Sequence, residues 1–265
     1  MNYLKIQGIF LRNIFLLKRS WHRIFSIFYW TTLELFLWGF ITKWLEGISA
    51  GRTVNFTVIL LGALIFWDLF NRAQQSIAVS FMEDVWSRNL INIFIAPISI
   101  KELVSGLALI SIFQGFLTFA TMILLASLLY AFPAFQLGIY LIPFLINIFI
   151  FGWTLGLFTI GLIIRFGPSL DILAFSMPML FYPLSAVFYP LSVLPVFLQK
   201  IAILIPTMHL FEGMRFVLAN GTISLPHLLW AVSLNLVYFT LGIMFFYWMI
   251  RVAKKRGLIG RLVTD

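Results

Sequence analysis

The chain alternates between long apolar runs and short polar segments. A helix needs about 20 apolar residues to cross a hydrocarbon core, and runs of about this length or longer cover residues 24–45, 54–81, 103–132, 137–164, 171–189 and 226–250. This pattern predicts an all-α integral membrane protein with six transmembrane helices. The fifth run contains Pro178 and Pro183, which a spanning helix tolerates only where neighbours or water satisfy the freed carbonyl groups.

Residues 1–23, which precede the membrane domain of residues 24–265, have an amphipathic pattern. Lys5, Arg12 and Arg19 recur every seven residues and so share one helical face, while Ile9 and Leu17 lie elsewhere. The pattern predicts an interfacial amphipathic helix with its basic side chains toward anionic headgroups. A cytoplasmic extension of the first transmembrane helix is the alternative.

Residues 83–106 form a charged, amphipathic segment between the second and third apolar runs. Pro97 lacks an N–H and restricts the residue before it, so a helix is expected to stop there. We therefore predict a short helix at about residues 83–97, outside the membrane. It carries both charged and apolar side chains, a combination that suits a groove on a soluble partner.

Residues 190–220 contain two apolar pieces that are each too short to cross a membrane, separated by Pro206. They predict a re-entrant helical hairpin that returns to the side from which it entered. His209 and Glu212 lie at helical spacing within it. They either share a proton or a metal ion, or form a polar pair that caps the hairpin.

Ionisable residues also occur inside the predicted transmembrane helices, where an isolated charge is costly. Glu34 lies near the middle of the first and either lines a substrate path or pairs with another helix. Asp68 and Arg72 are four residues apart on the second, so they are expected to neutralise each other.

The overall composition limits the class of protein. Hydrophobic residues make up 62% of the chain and charged residues 10%, far from the balance of a soluble domain. The net charge of +9 is interpreted as an orientation signal rather than as a nucleic-acid footprint, since most Lys and Arg fall on the side that holds both termini and residues 83–106. The sequence has no cysteine. It also lacks a phosphate-loop motif and the metal and serine-nucleophile motifs of hydrolases.

Two stretches, EDVWSRNLINIFIAPISIKELVSG at 83–106 and PLSVLPVFLQKIAILIPTMHLFEGMR at 190–215, together resemble the membrane subunit of an ABC exporter of the ABC-2 type. The first resembles the acidic and basic coupling helix of that family, followed by a Pro-Ile-Ser turn. The second resembles the stretch that precedes its last transmembrane helix. The resemblance extends over nearly the whole chain.

The resemblance implies a 2:2 complex of this permease with a cytoplasmic ATP-binding cassette subunit. ATP and Mg²⁺ would bind to that partner, and this chain would bind no cofactor and catalyse no reaction. The family has a coupling helix that contacts the ATPase and a pathway and gate between two copies of the permease. In this chain the coupling contacts would be made by Glu83, Asp84, Trp86, Arg88, Leu90 and Phe94. The candidates for the pathway and gate are Glu34, Tyr182, Phe188, Tyr189, His209, Glu212 and Arg215.

The resemblance further implies export of an amphipathic or lipid-linked substrate, such as a glycan or a hydrophobic drug, across a bacterial inner membrane, with both termini cytoplasmic. Two other classes stay open. A self-contained channel or secondary transporter is expected to show an internal repeat. A membrane enzyme acting on lipid is expected to show a clustered catalytic set.

Overall fold

The computed structural model describes residues 1–48, 56–133 and 138–257, apart from a few side chains within these ranges. This part of the chain is helical and contains no β-strand. The helices, numbered in chain order, are α1 Tyr3–Arg19, α2 Trp21–Ile48, α3 Gly62–Trp86, α4 Leu90–Ile95, α5 Ile100–Tyr130, α6 Leu141–Phe166, α7 Leu173–Ser176, α8 Val196–Ala202, α9 Pro206–Asn220 and α10 Leu225–Lys255.

The protein is a membrane protein. Helices α5 and α10 are long and apolar enough to cross a bilayer, as is α6 with the 3₁₀ turn that precedes it. Large apolar side chains such as Phe116, Leu128, Leu236 and Met244 are exposed along α5 and α10. In water such surfaces would be unfavourable, whereas in a bilayer they contact lipid.

Helix α3 is a central helix of the bundle and packs against both α5 and α6. Its apolar side chains are almost completely buried, Phe70 and Ile77 among them. Two glycines of α6 allow the close approach, since a Cβ added at Gly152 would lie 2.6 Å from the Cβ of Ala73 and one added at Gly156 would lie 2.9 Å from that of Ile77. The glycines of the fourth predicted transmembrane helix therefore serve packing within the subunit.

Helix α1 lies along the first turns of α5, with Ile6, Ile9 and Leu17 buried. Gly106 of α5 accommodates Ile9, whose side chain would clash with any added Cβ. The basic side chains of α1 were predicted to face lipid headgroups, but two of them bind protein groups instead. Arg12 forms an ion pair of 2.7 Å with Asp84, and Lys5 donates to the carbonyl oxygen of Pro97.

The predicted helix at 83–97 is divided in the structure. Helix α3 continues to Trp86, a turn follows at residues 87–89, and α4 contains only Leu90–Ile95. In the turn Arg88 has a φ of 56°, which lies outside the right-handed helical region and therefore ends the helix. This left-handed conformation is costly for a residue with a Cβ, because it brings Cβ close to the following carbonyl oxygen. Glu83, Asp84 and Trp86 therefore belong to the end of α3 and not to a separate helix.

The fifth predicted transmembrane helix is not a regular α-helix. Four α-helical residues in α7 are followed by a 3₁₀ helix at Met177–Leu184. Pro178 and Pro183 cannot donate backbone hydrogen bonds, which explains the irregular geometry. At about 1.5 Å per α-helical residue and about 2.0 Å per 3₁₀ residue, this piece is about 22 Å long, so a crossing of the hydrocarbon core here would also need the residues that flank it.

The break predicted at Pro206 is present. Helices α8 and α9 are inclined to each other by 99° at this break, and Pro206 is the first residue of α9, where its missing N–H removes no intrahelical bond. A re-entrant hairpin and a single broken transmembrane helix both have this geometry.

Candidate functional site

A polar cavity of about 560 Å³ lies in the helix bundle between α1, α2, α3, α5 and the irregular segment that begins at α7. Its volume is in the range of small-molecule binding sites, which is about 300–1,000 Å³. Most of the residues that line it have polar side chains, although more of the wall surface is apolar than polar. The described residues that supply polar side chains to this wall are Asn13, Glu34, Asp68, Asn71, Arg72, Gln75, Ser76, Ser80, Glu83 and Gln114.

Most of the polar wall comes from one face of α3. Asp68, Arg72, Ser76, Ser80 and Glu83 follow one another at intervals of three or four residues, the spacing that places side chains on one side of an α-helix. At 1.5 Å per residue the stripe from Asp68 to Glu83 is about 22 Å long. The cavity therefore follows α3 from the middle of the bundle to the end at which α1 and α4 lie.

Asp68 and Arg72 lie at the inner part of this stripe, and Glu83 lies at its other end. The carboxylate of Asp68 is buried and accepts a hydrogen bond of 3.1 Å from the hydroxyl of Thr31. Arg72 is one turn further along, and its charge acts on both Asp68 and Glu34 through space. No ion-pair contact joins Asp68 and Arg72 among the described residues, so the predicted neutralisation of this pair is not seen as a contact.

Two polar atoms in the wall have no hydrogen-bond partner in the described part of the chain. They are Nε of Arg72 and Oγ of Ser76, and both are buried. A buried polar atom without a partner is uncommon in folded proteins and costs about 1–3 kcal/mol. Because these two atoms have almost no accessible surface, they are covered by neighbouring protein atoms and do not face the open space of the cavity.

The predicted pathway residues are divided between three places. Glu34 lines the cavity together with Trp30. Tyr182 and Phe188 instead join an aromatic cluster, in which Phe188 stacks on Trp38 with ring centroids 3.8 Å apart and Tyr182 contacts Trp67 at 4.5 Å. Tyr189 is held nearby by a hydrogen bond from its hydroxyl to the carbonyl oxygen of Pro183.

The third place is the bent pair of α8 and α9. Arg215 donates to the carbonyl oxygens of Ala186 and Val187 and to the carboxylate of Glu212, which also accepts from the N–H of Leu191. Ala186 has a φ of 51°, so this buried turn is strained for a residue with a Cβ. The Glu212–Arg215 pair stabilises the turn that leads into the α8–α9 region.

His209 does not pair with Glu212. Its Nε2 lies 2.8 Å from the carbonyl oxygen of Ile203 and its Nδ1 lies 3.3 Å from Nδ1 of His227. Because a carbonyl oxygen only accepts, Nε2 of His209 donates and its Nδ1 accepts from His227. No group of three or more His, Asp or Glu residues that could hold a metal ion is present in the described ranges.

The predicted coupling residues differ in exposure. Trp86 and Arg88 are exposed at the end of the bundle, Glu83 is half-buried, and Asp84 and Leu90 are buried. Asp84 is occupied by its ion pair with Arg12, and Leu90 packs into the core beneath α4. The side chain of Phe94 lies outside the described part of the structure.

A capping box fixes the start of α5 just after this region. The side chain of Ser99 accepts from the N–H of Glu102, and the Glu102 carboxylate accepts from the N–H groups of Ser99 at 2.8 Å and Asn2 at 2.7 Å. Glu102 precedes the predicted third transmembrane run, and these hydrogen bonds, that from Ser99 first, lower the pKa of its carboxyl group to about 2. The box joins the beginning of α1 to the beginning of α5.

Sequence reasoning missed several cavity residues, above all Asn71, Gln75, Ser76 and Ser80. Asn71 and Gln75, like Ser76 and Ser80, are four residues apart within the second apolar run. This spacing was a usable signal, because polar residues three or four apart mark one helix face. Asn13 and Gln114 carried no comparable signal, since they come from α1 and α5 and are brought to the cavity only by the fold.

Comparison with known proteins gave no relatives, as neither a family model nor a curated protein matches this chain.

Proposed function

We propose that this chain is the membrane subunit of an ABC-2 type exporter, which moves an amphipathic or lipid-linked substrate out of a bacterial cytoplasm. In this proposal two copies form the pathway and two separate ATPase subunits supply the energy. The chain crosses the inner membrane six times, with both termini in the cytoplasm, and residues 190–220 form a re-entrant gate. The proposal rests on the two sequence stretches at 83–106 and 190–215 and on the mechanical arrangement of α3.

The observation that carries the proposal is the continuity between the cavity wall and an exposed contact surface. Glu83 lines the cavity, and Trp86, one turn later, is 50% exposed at the end of the same helix. The turn that leads to α4 is fixed by three backbone hydrogen bonds, from Ser87 to Glu83, from Arg88 to Val85 and from Asn89 to Asp84. A force applied at Trp86–Ile95 would therefore act directly on the wall of the cavity.

Helix α1 strengthens this connection from the side. The ion pair of Arg12 with Asp84 holds α1 to the end of α3, and the hydrogen bond from Lys5 to Pro97 holds it to the segment after α4. The exposed surface that remains for a partner includes Trp86, Arg88 and Ile95, of which Ile95 is 77% exposed. One aromatic, one cationic and one aliphatic side chain are a suitable set of anchors for a protein groove.

Purification of the tagged chain from mild detergent, after expression in its own host, tests the proposal. The expected result is a 2:2 complex with a soluble ATPase. Arg88→Glu is expected to reduce the retained ATPase by about tenfold or more, since reversal of an interface charge replaces attraction by repulsion. Arg88→Gly removes the charge without reversing it. Because glycine adopts the positive φ of this position without strain, this variant leaves the backbone of the turn undisturbed.

Lys200→Glu is the matched control, because it reverses an exposed charge on α8, in a different part of the fold. A pure complex without any ATPase, or equal ATPase recovery with Arg88→Glu and Lys200→Glu, would contradict the proposal. The absence of native cysteine also makes single introduced cysteines usable as reporters of which side each end faces.

A secondary transporter is the second candidate, and the ionisable groups of the cavity favour it. Glu34, Asp68 and Arg72 lie together inside the bundle, and such groups often move protons or ions in transporters. Transport into liposomes that contain this chain alone, driven by a pH gradient and lost in Glu34→Gln, would support this alternative.

A further inference from the structure

A groove with a volume of about 460 Å³ lies along the junction of α1 and α5. The two helices run in the same direction, since Asn2 bonds to Glu102 at the beginning of both, and Phe10 packs edge-on against Phe113 further along. None of the described residues that line the groove also lines the cavity along α3. The groove is therefore a separate site, to which the proposed function assigns no role.

The walls of the groove are mainly apolar. Leu109, Ile112 and Phe116 are three and four residues apart and so form one face of α5. Phe116 is 69% exposed, so the groove is open on the outer side of the bundle. Leu11 and Gln7 belong to the opposite wall, which α1 provides. The groove therefore accepts an apolar group and offers few hydrogen bonds to a polar one.

The large size of the lining side chains decides between two apolar occupants. A helix that packs against another helix in a membrane does so through small residues, which allow the backbones to approach closely. Ile112, Phe113 and Phe116 instead bring bulky side chains to the groove, and no described lining residue is Gly, Ala, Ser or Thr. A flexible acyl chain fits between such side chains without any close approach of backbones. The groove therefore suits a lipid chain better than a second helix.

A cationic side chain lies on the same side of α5 as the groove, at the beginning of the helix. Lys101 and Ile112 are eleven residues apart, which is about three helical turns, so both lie on one face. The distance between them along the helix is about 16 Å. Lys101 is exposed, and no ion-pair partner for it is present among the described residues. One end of the apolar groove thus leads toward an unpaired positive charge.

The neighbouring carboxylate of Glu102 does not take up this charge. It accepts hydrogen bonds from two backbone N–H groups, and the cation that acts on it through space is Lys5. Lys5 is held at this end of the bundle by its hydrogen bond to the carbonyl oxygen of Pro97. In the described part of the chain, no acidic side chain therefore balances Lys101.

We infer that the groove binds an anionic phospholipid, with one acyl chain between α1 and α5 and the headgroup at Lys101. Lysine near a membrane surface attracts anionic headgroups, and its apolar stem lies along apolar surface while the ammonium group extends to the headgroup level. The site is distinct from the headgroup contacts predicted for Lys5 and Arg12, which bind protein groups instead. The inference does not depend on the exporter proposal, because the groove lies outside the cavity along α3.

Two lipids with identical chains and different headgroups test the inference. Dioleoyl phosphatidylglycerol has a net negative charge, whereas the choline of dioleoyl phosphatidylcholine offsets its phosphate. Each is titrated into the full chain in mild detergent, and native mass spectrometry counts the retained lipid molecules. We expect saturable binding of phosphatidylglycerol, about fivefold tighter than that of phosphatidylcholine, the effect of one lysine at a membrane surface.

The headgroup contact is tested by Lys101→Gln. This variant should bind both lipids about equally, with the affinity for phosphatidylcholine unchanged, because only the attraction of the net charge is lost. Lys200→Gln is the matched control, since it removes an exposed lysine from α8, which does not line the groove. It should keep the preference for phosphatidylglycerol.

The place of the acyl chain is tested by Ile112→Trp, whose larger side chain fills the groove. It should weaken binding of both lipids by about fivefold or more, the effect of about one or two methylene groups that lose their burial. Leu236→Trp is the matched control, because Leu236 is an exposed aliphatic residue of α10 outside the groove. Phe116→Ala, which removes part of the wall, replaces Ile112→Trp if that variant fails to fold.

Three results would overturn the inference. Equal affinity for the two lipids, or an unchanged preference in Lys101→Gln, would show that no headgroup charge is recognised at this site. Lipid retention by Ile112→Trp or Phe116→Ala that equals retention by Leu236→Trp would place the acyl chain elsewhere. A dimer that is lost in Ile112→Trp but kept in Leu236→Trp would identify a second copy of the chain as the occupant.

Discussion

The close contact between α6 and the backbone of α3 provides a direct test of the fold, through the substitution Gly152→Ala. An added Cβ at Gly152 would lie 2.6 Å from the Cβ of Ala73, 3.2 Å from the backbone nitrogen of Gln74 and 3.3 Å from the carbonyl carbon of Ala73. Two of these three neighbours are backbone atoms of α3 and cannot move aside without displacing the helix. The substitution therefore forces α3 and α6 apart at the centre of the bundle.

The size of the effect follows from two opposing contributions. Insertion of a methyl group into a packed core costs about 1–3 kcal/mol, and contact with rigid backbone favours the upper half of that range. Replacement of glycine by alanine within a helix returns about 1 kcal/mol. We expect Gly152→Ala to lower the free energy of unfolding by about 1–2 kcal/mol.

Reversible unfolding in mixed micelles of mild detergent and dodecyl sulfate, followed by circular dichroism, measures this change. Gly8→Ala is the control, because nothing lies within 4 Å of a Cβ added there, and it should be neutral or slightly stabilising. Ala73→Gly removes the nearest atom, so in a double-mutant cycle it should show a favourable coupling of about 1 kcal/mol with Gly152→Ala. The argument is refuted if Gly152→Ala is as stable as Gly8→Ala.

Two further predictions concern the ends of the bundle. Arg215→Gln should leave the carbonyl oxygens of Ala186 and Val187 without their donor and destabilise this turn by about 2 kcal/mol. The measurement is amide hydrogen exchange, which should become faster at residues 186–191. Unchanged exchange would show that the turn is held by other contacts. The folded-state pKa of Glu102 is depressed to about 2 from an ordinary value of 4.5, so its contribution to stability is present above pH 4.5 and is lost as the pH falls toward 2. Glu102→Gln should therefore flatten this part of the curve of unfolding free energy against pH. Identical curves for the two proteins would contradict the assignment.

The long apolar helices were predictable because their signal is local. Helices α5, α6 and α10 begin or end within a few residues of the predicted runs, since composition alone decides whether a helix of this length prefers lipid. The break at Pro206 was predictable for a similar reason, because proline acts on the backbone at its own position.

The end of α3 was not predictable from the same signals. The charges of Glu83 and Asp84 suggested that the helix outside the membrane begins there, yet Asp84 is neutralised by Arg12 from α1 and α3 continues to Trp86. The ion pair joins residues 72 positions apart in the sequence, a distance over which periodicity gives no information. The pairing of His209 with His227 instead of Glu212 is hidden for the same reason.

The polar stripe of α3 connects the packing of the bundle with the proposed transport. One face of this helix bears Ala73 and Ile77 against the glycines of α6, and another bears Asp68, Arg72 and Ser76 in the cavity. Because a polar face in contact with lipid is costly, the stripe is compatible with membrane insertion only while water, substrate or protein occupies the space before it. A movement of α3 driven from Trp86 and α4 would alter that space along its whole length, so in the proposed exporter the helix that binds the substrate is also the helix on which the ATPase acts.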